Sequence, residues 1–77
     1  MTLGRKIRNR REELRMTQPE LAETARLSQS SISQIEKGVF IPRDSTIVVL
    51  ALALKMPPEE LLGTETNQIT KKEKKAS

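Results

Sequence analysis

The segment TQPELAETARLSQSSISQIEKG, residues 17–38, constrains the fold most, because it contains two helix starts separated by a very short turn. Thr17 and Glu20 match a capping box, in which each side chain bonds the other residue's backbone N–H at the start of a helix. Ser28 is a good N-cap for a second helix, and Gly38 is a good C-terminal stop. So short a connection forces the two helices to cross sharply, as in a helix-turn-helix unit.

The side chains of these two helices divide into an inner and an outer set. Ala22 is small enough for the close contact at the crossing, while Ile32 and Ile35 supply apolar anchors on the later helix. At about 100° per residue, five polar side chains fall in an arc opposite these anchors: Gln29, Ser30, Ser33, Gln34 and Lys37. Serine is a poor choice for helix propensity, so this outer face indicates a surface that donates and accepts hydrogen bonds.

An outer face of this kind suits the base edges of double-stranded DNA. Glutamine pairs bidentately with adenine N6 and N7, and serine pairs with several base edges, in a major groove wide enough for a helix. Any single glutamine is more easily explained as part of a plain polar surface. The combination of polar face, apolar anchors and tight turn favours sequence-specific DNA binding.

Three further helices are predicted around this unit. The apolar positions of the first are Leu3, Ile7 and Leu14. Their helical spacing predicts a helix over about residues 2–14. After a proline-containing loop, Asp44 or Ser45 caps a fourth helix that runs to about Lys55, and MPPEELL predicts a short fifth helix ending before Gly63.

The domain organisation follows from the change in composition near residue 63. We predict that residues 1–63 form one all-α domain, since no strand-like alternation interrupts the helical patterns. Residues 64–77 are polar and lysine-rich, which predicts a disordered tail. The net charge of +4 is concentrated at the two ends of the chain. Two basic ends indicate a polyanionic partner, although a solvated surface explains charge alone equally well.

The composition argues against catalysis and against a membrane protein. The chain has no cysteine and no histidine, so it lacks disulfides, cysteine zinc sites and the usual general base. The adjacent carboxylates Glu12–Glu13 and Glu59–Glu60 do not face one pocket on a helix. The longest apolar run, residues 47–54, is far short of the ~20 residues of a membrane span. We expect a cytoplasmic protein that is not an enzyme, with no cofactor, no metal, no membrane contact and no signal peptide.

Residues 17–38 resemble the helix-turn-helix of the Xre/Cro-type DNA-binding domains of phage repressors and many bacterial regulators. The matching features are Gln18, Leu21-Ala22, Leu27-Ser28, Ile32, Ile35-Glu36 and Gly38. The similarity extends over about Ile7 to Leu62, where the five-helix layout and its P-x-E-L-L-like end also follow the family's pattern. The resemblance implies a compact five-helix, lambda-repressor-like bundle. It also implies a sequence-specific transcriptional regulator, foremost a repressor, of bacterial or phage origin and associated with the nucleoid.

The resemblance also implies which residues contact DNA. Base edges would be contacted by Gln29, Ser30, Ser33 and Gln34, and the DNA backbone by Arg11, Gln18, Lys37 and Arg43. Arg11 would pair with Glu36 in a partly buried position. The chain departs from the family at Arg15 and Arg26, which occupy turns where glycine is common because it accepts a positive φ. The loop VFIP is also more apolar than is usual for the family.

The fourth helix predicts a homodimer. Its inner side carries Ile47, Leu50, Ala51 and Leu54, and its opposite side carries Val49, Leu52, Ala53 and Met56. A helix that is apolar all round is normally covered on both sides. We therefore expect an interface formed by Val49, Leu52 and Met56, with Phe40 and Ile41 from the loop. Two-fold symmetry would place two recognition helices about 34 Å apart on a roughly palindromic operator.

A different class of function stays open at the level of sequence. An antitoxin or adaptor would use the same domain to bind a partner protein as well as DNA. No segment of the chain stands out as a toxin-binding element, and co-purification with a second protein would favour this alternative.

Overall fold

Five α-helices follow one another in the computed structural model, which describes residues 2–63. Their bounds are α1 Leu3–Glu13, α2 Gln18–Ala25, α3 Gln29–Lys37, α4 Asp44–Ala53 and α5 Pro58–Leu62. The all-α prediction is confirmed for this part of the chain. The tail predicted for residues 64–77 lies outside the described residues. None of the five helices is long and apolar enough to cross a lipid bilayer.

The predicted caps of the helix-turn-helix are confirmed. The Glu20 backbone N–H donates to Thr17 Oγ1 at 3.2 Å, and the Thr17 N–H donates to Glu20 Oε1 at 2.8 Å, which completes the capping box. The Ser28 hydroxyl accepts from the Ser31 N–H at 3.0 Å. Gly38 ends α3 with a left-handed φ of 79°. These bonds satisfy N–H groups that the first turn of a helix otherwise leaves without partners.

The start of α4 corrects the sequence prediction. Arg43, and neither Asp44 nor Ser45, is the N-cap, and its side chain makes no capping bond. The extended backbone of Arg43 directs its carbonyl to the Thr46 and Ile47 N–H groups, both at 3.0 Å. Because this carbonyl accepts the first helical bonds, Asp44 becomes the first helical residue. There its carboxylate still interacts favourably with the positive end of the helix dipole.

Besides Gly38, three residues other than glycine adopt a left-handed conformation where helices end. Arg15 has a φ of 59° and Arg26 a φ of 60°, at the two turns where the family often has glycine. Lys55 has a φ of 57° and was not predicted to be unusual. Its conformation ends α4 at Ala53, two residues earlier than expected. A side chain in this region is strained relative to glycine.

The core lies at the centre of the five helices, and each helix contributes to it. Its buried members are Leu3, Ile7, Leu21, Ala22, Ala25, Ile32, Ile35, Ile47, Leu50, Ala51, Leu54 and Leu61. The predicted inner residues of α2, α3 and α4 are all among them. Of the residues predicted on the outer side of α4, Ala53 instead packs half-buried against this core, and so does Met56. The position of Met56 after the left-handed Lys55 takes it off the helical repeat from which the outer side was predicted.

Two long-range contacts fix α1 and could not be read from the sequence. A Cβ at Gly4 would lie 2.5 Å from the backbone oxygens of both Ile35 and Glu36, so only glycine lets α1 approach the end of α3. On its other flank, Arg10 donates from Nε to the Leu54 carbonyl at 2.9 Å and from a terminal nitrogen to the Lys55 carbonyl at 3.0 Å. These bonds attach α1 to the end of α4.

Candidate nucleic-acid interface

The outer face of α3 presents hydrogen-bonding side chains to the surface. Gln29, Ser30 and Gln34 are exposed, and Ser33 is half-buried. Within residues 2–63 these four side chains make no hydrogen bond or ion pair. The anchors on the opposite side, Ile32 and Ile35, are 0% and 2% exposed. A rigidly seated helix therefore carries a row of donors and acceptors that the fold itself does not use.

A buried polar network joins this helix to α1. The Glu36 carboxylate accepts from Arg11 Nε at 2.8 Å and from an Arg11 terminal nitrogen at 3.2 Å, which confirms the predicted pair. The two side chains are only 11% and 4% exposed. A further Arg11 nitrogen donates to the Met16 carbonyl at 2.8 Å. Three of the five guanidinium N–H groups are thus engaged, and two are left for another acceptor.

Gln18 belongs to the same network, which the sequence did not indicate. Its Nε2 donates to Glu36 Oε1 at 3.1 Å, and the side chain is half-buried. This bond fixes the amide at the first position of α2 and leaves its carbonyl oxygen and second N–H available. Glu36 therefore positions Arg11 and Gln18 together, at the edge of the α3 face.

The other predicted backbone-contacting residues lie on the surface. Lys37, in the last turn of α3, and Arg43, at the start of α4, are exposed. Neither forms an ion pair within the described part of the chain. No group of three or more potential metal-ligating side chains is found among residues 2–63.

The residues predicted for a dimer interface lie on several parts of the surface. Val49 and Leu52 are 41% and 65% exposed and line a shallow cleft with Arg26 at the end of α2. Phe40 and Ile41 are also exposed, but they line a different cleft beside the start of α1. The two clefts share no lining residue. The exposed residues predicted for the interface therefore form two separate patches, an α4 patch of Val49 and Leu52 and a loop patch of Phe40 and Ile41.

The sequence of residues 4–66 matches the model of a family described as helix-turn-helix domain. The chain belongs to this family. The predicted resemblance to Xre/Cro-type domains is thereby confirmed, and the relatives below agree with it.

Three curated relatives align with most of this chain. The immunity repressor protein of Bacillus phage phi105 is 39% identical over 66 residues, which are 86% of this chain and 46% of the relative. The HTH-type transcriptional regulator DicA of Escherichia coli (strain K12) is 37% identical over 71 residues, 91% of this chain and 53% of the relative. The HTH-type transcriptional repressor RghR of Bacillus subtilis (strain 168) is 40% identical over 62 residues, 79% of this chain and 46% of the relative. The chain therefore spans about half the length of these relatives.

Solved structures of the P22 c2 repressor share the fold. The repressor in complex with a synthetic operator superimposes with a TM-score of 0.74 and 31% identity, covering 79% of this chain and 92% of that chain. The solution structure of its DNA-binding domain gives a TM-score of 0.78 and 30% identity, covering 91% of this chain and 92% of that chain. The five-helix, lambda-repressor-like architecture is thus confirmed.

Proposed function

We propose that this helix-turn-helix protein binds double-stranded DNA of defined sequence and acts as a small transcriptional regulator, foremost a repressor. The observation that carries the proposal is the outer face of α3, whose side chains form no bond within the described residues although the helix beneath them is firmly seated. The names of the curated relatives support regulation, and the operator complex of the P22 c2 repressor supports DNA as the ligand.

In this proposal, α3 lies in the major groove and reads base edges. The reading residues are Gln29, Ser30, Ser33 and Gln34. Glutamine can pair bidentately with adenine, and serine can pair with several bases. Since the four side chains have no competing partner within residues 2–63, no bond of the fold has to break when they meet a base.

Phosphate contacts would hold α3 in register. Gln18 would bind a phosphate through its side chain and through the backbone N–H groups at the start of α2, where the helix dipole favours an anion. Arg11 would add one of its two remaining N–H groups, while Lys37 and Arg43 would contact the backbone on either side. Contacts of this kind position a protein, and base contacts specify the sequence.

A homodimer would complete the proposed regulator. The α4 patch and the loop patch expose apolar side chains on a small domain, and Met56, three residues beyond α4, is partly buried. Burying Val49, Leu52 and Met56 against a second copy, with Phe40 and Ile41 joining, would cover this surface. Two copies would place their recognition helices about 34 Å apart and read a roughly palindromic operator. The protein would act without catalysis or cofactor, in the cytoplasm and at the nucleoid.

Selection of DNA from a random pool tests the function directly. We expect a defined, roughly palindromic sequence to be enriched. Replacing Gln29 or Gln34 with Ala should relax preference at particular base pairs, because each good bidentate pair contributes ~1–3 kcal/mol of discrimination. Glu23→Ala, on the exposed side of α2, is the control and should leave the selected sequence unchanged. Equal weakening on every sequence would refute the assignment of the reading face.

The salt dependence of binding tests the phosphate contacts. Each neutralised phosphate contributes ~0.9 to the slope of log affinity against log salt. We expect a steep slope for the unaltered protein and a shallower one after Lys37→Gln or Arg43→Gln. Unchanged slopes in both variants would remove these residues from the interface.

Light scattering at micromolar concentration tests the dimer. We expect a dimer that Leu52→Glu converts to a monomer, because a carboxylate cannot be buried in an apolar interface without a partner. Gln34→Glu is the matched control, since it adds the same charge to the outer face of α3. A monomer that Leu52→Glu does not alter would contradict the dimer. Co-purification of a second protein would instead favour the antitoxin or adaptor alternative.

A further inference from the structure

The cations on the two flanks of α1 make different contacts. On one flank, Lys6 and Arg10 donate to backbone carbonyls of the α4–α5 region, Lys6 to Glu60 at 2.8 Å and Arg10 to Leu54 at 2.9 Å. On the other flank are Arg5 and Arg8. Within residues 2–63, their side chains make no hydrogen bond or ion pair to another helix.

Arg5 and Arg8 line a polar groove between α1 and the end of α3. The groove has a volume of about 540 Å³, and its walls also carry Glu12, Glu36 and Lys37. Gly4 brings the two helices close together at this end. The groove thus joins three cations from two helices in one concave surface.

The charge of the groove favours an anion. Its two carboxylates already have cationic partners, since Glu36 is held by Arg11 and Glu12 accepts from Arg8 at 3.2 Å. Arg5 and Lys37 form no ion pair within residues 2–63. The Arg8–Glu12 pair is 62% and 54% exposed, and a pair so exposed contributes little stability. Arg8 can therefore leave Glu12 and bind another anion at a small cost in free energy.

The position of the groove identifies the anion. Lys37 belongs both to this groove and to the outer face of α3, and Glu36 belongs to the groove while holding Arg11 and Gln18. The groove therefore continues the surface proposed to face DNA, beyond the residues that read bases. A phosphodiester backbone that leaves the major groove along this edge would meet Arg5 and Arg8 next.

We propose that this groove binds DNA backbone phosphates beside the recognition helix, with Arg5 and Arg8 as phosphate-contacting residues. The inference rests on the proposed function and extends its footprint from Arg11 toward the start of α1. Arg5 binds through a guanidinium that no carboxylate within residues 2–63 holds in an ion pair. Arg8 exchanges or shares its bond to Glu12. Glu12 lies in the same groove and weakens the site through repulsion of the phosphate.

Affinity measurements over a range of salt concentrations test this inference, with a duplex selected by the unaltered protein and a scrambled duplex as probes. Arg5→Gln and Arg8→Gln should each lower the slope of log affinity against log salt by ~0.9. Over a fourfold rise in salt, each variant should therefore lose about 3.5-fold less affinity than the unaltered protein. The decrease should be similar on both duplexes, because phosphate contacts carry no sequence information. Glu12→Gln should have the opposite effect and strengthen binding.

Matched variants separate the possible failures. Lys55→Gln removes an exposed cation from the opposite flank of α1 and should change the slope less than either arginine variant. Thermal unfolding should show that all four variants fold. If the unaltered protein prefers its selected duplex but Arg5→Gln and Arg8→Gln match Lys55→Gln, the groove is refuted and the proposed function stands. If the unaltered protein shows no preference for any duplex, both fail.

Discussion

Helices α3 and α4 are of similar length but expose opposite kinds of surface. The outer face of α3 is polar and makes no bond within residues 2–63, whereas the outer face of α4 carries Val49 and Leu52, 41% and 65% exposed. Both helices bury apolar side chains on their inner side. The difference therefore concerns what each outer face is suited to contact.

One small domain thus carries a polar outer face on α3 and an apolar one on α4. Polar side chains with defined donors and acceptors suit a ligand that offers matching hydrogen bonds, such as base edges. Removing exposed apolar side chains from water is favourable in free energy. Such a face therefore suits contact with another protein surface. The two helices also differ in support, since a buried ion pair joins α3 to α1, whereas α4 is held by apolar packing and by the Arg10 bonds at its end.

The largest loss of stability should come from breaking the Arg11–Glu36 pair, which joins α3 to α1. Glu36→Ala leaves the buried Arg11 without its carboxylate partner, and loss of one member of a buried pair costs about 3–5 kcal/mol. We expect this loss in the free energy of unfolding measured with denaturant. A double-mutant cycle with Arg11→Ala should show strong coupling, and additive losses would contradict the pairing.

Two leucines of α4 sharpen the contrast between its faces. Leu50 is 0% exposed and Leu52 is 65% exposed. Leu50→Ala should cost about 2–5 kcal/mol through the cavity it leaves, whereas Leu52→Ala should cost within about 0.5 kcal/mol in dilute protein. At higher concentration the melting temperature of the unaltered protein should rise by mass action, and Leu52→Ala should abolish that rise. A concentration-independent melting temperature would argue against the dimer.

Gly4 tests how closely α3 is held against α1. The added Cβ of Gly4→Ala would meet two backbone oxygens at 2.5 Å, and neither can rotate away. Overpacking of this kind costs about 1–3 kcal/mol, which thermal unfolding would measure. Gly63→Ala is the control, because its nearest contact is a single oxygen at 3.3 Å, and it should cost less. Equal losses in the two variants would contradict the close approach.

The smallest changes in stability should come from substitutions where α3 and α4 end. α3 ends in Gly38 with a φ of 79°, and α4 is followed by Lys55 with a φ of 57°. A left-handed conformation costs a non-glycine residue roughly 1–2 kcal/mol, so Lys55→Gly should stabilise the fold by up to about 1 kcal/mol after the entropy of glycine is counted. Gly38→Ala should destabilise it by a similar amount, since no atom lies within 4 Å of the added Cβ and the backbone alone decides. Shifts of the same sign in both would contradict this account.

Local sequence signals were sufficient to predict the helices of the central unit and the division of their faces. Thr17 with Glu20, Ser28 with its following turn, and Gly38 act over three or four residues, so their bonds could be predicted without any tertiary structure. The same holds for Ile32 and Ile35, since helical periodicity alone separates their side from the polar one. The Arg11–Glu36 pair was predicted as well, through the family resemblance and the placement of both residues beside apolar stripes.

Contacts between residues far apart in the chain depend instead on how the five helices pack. The Gly4 contact with α3, the Arg10 bonds to the end of α4 and the Gln18 bond to Glu36 join elements whose relative position is set by packing of the whole core. The same packing partly buried Met56 and left Leu52 exposed. Caps and periodicity determine the helices because they act between residues close together in the chain. Contacts between distant residues, and the burial of their side chains, form only once all five helices have packed together.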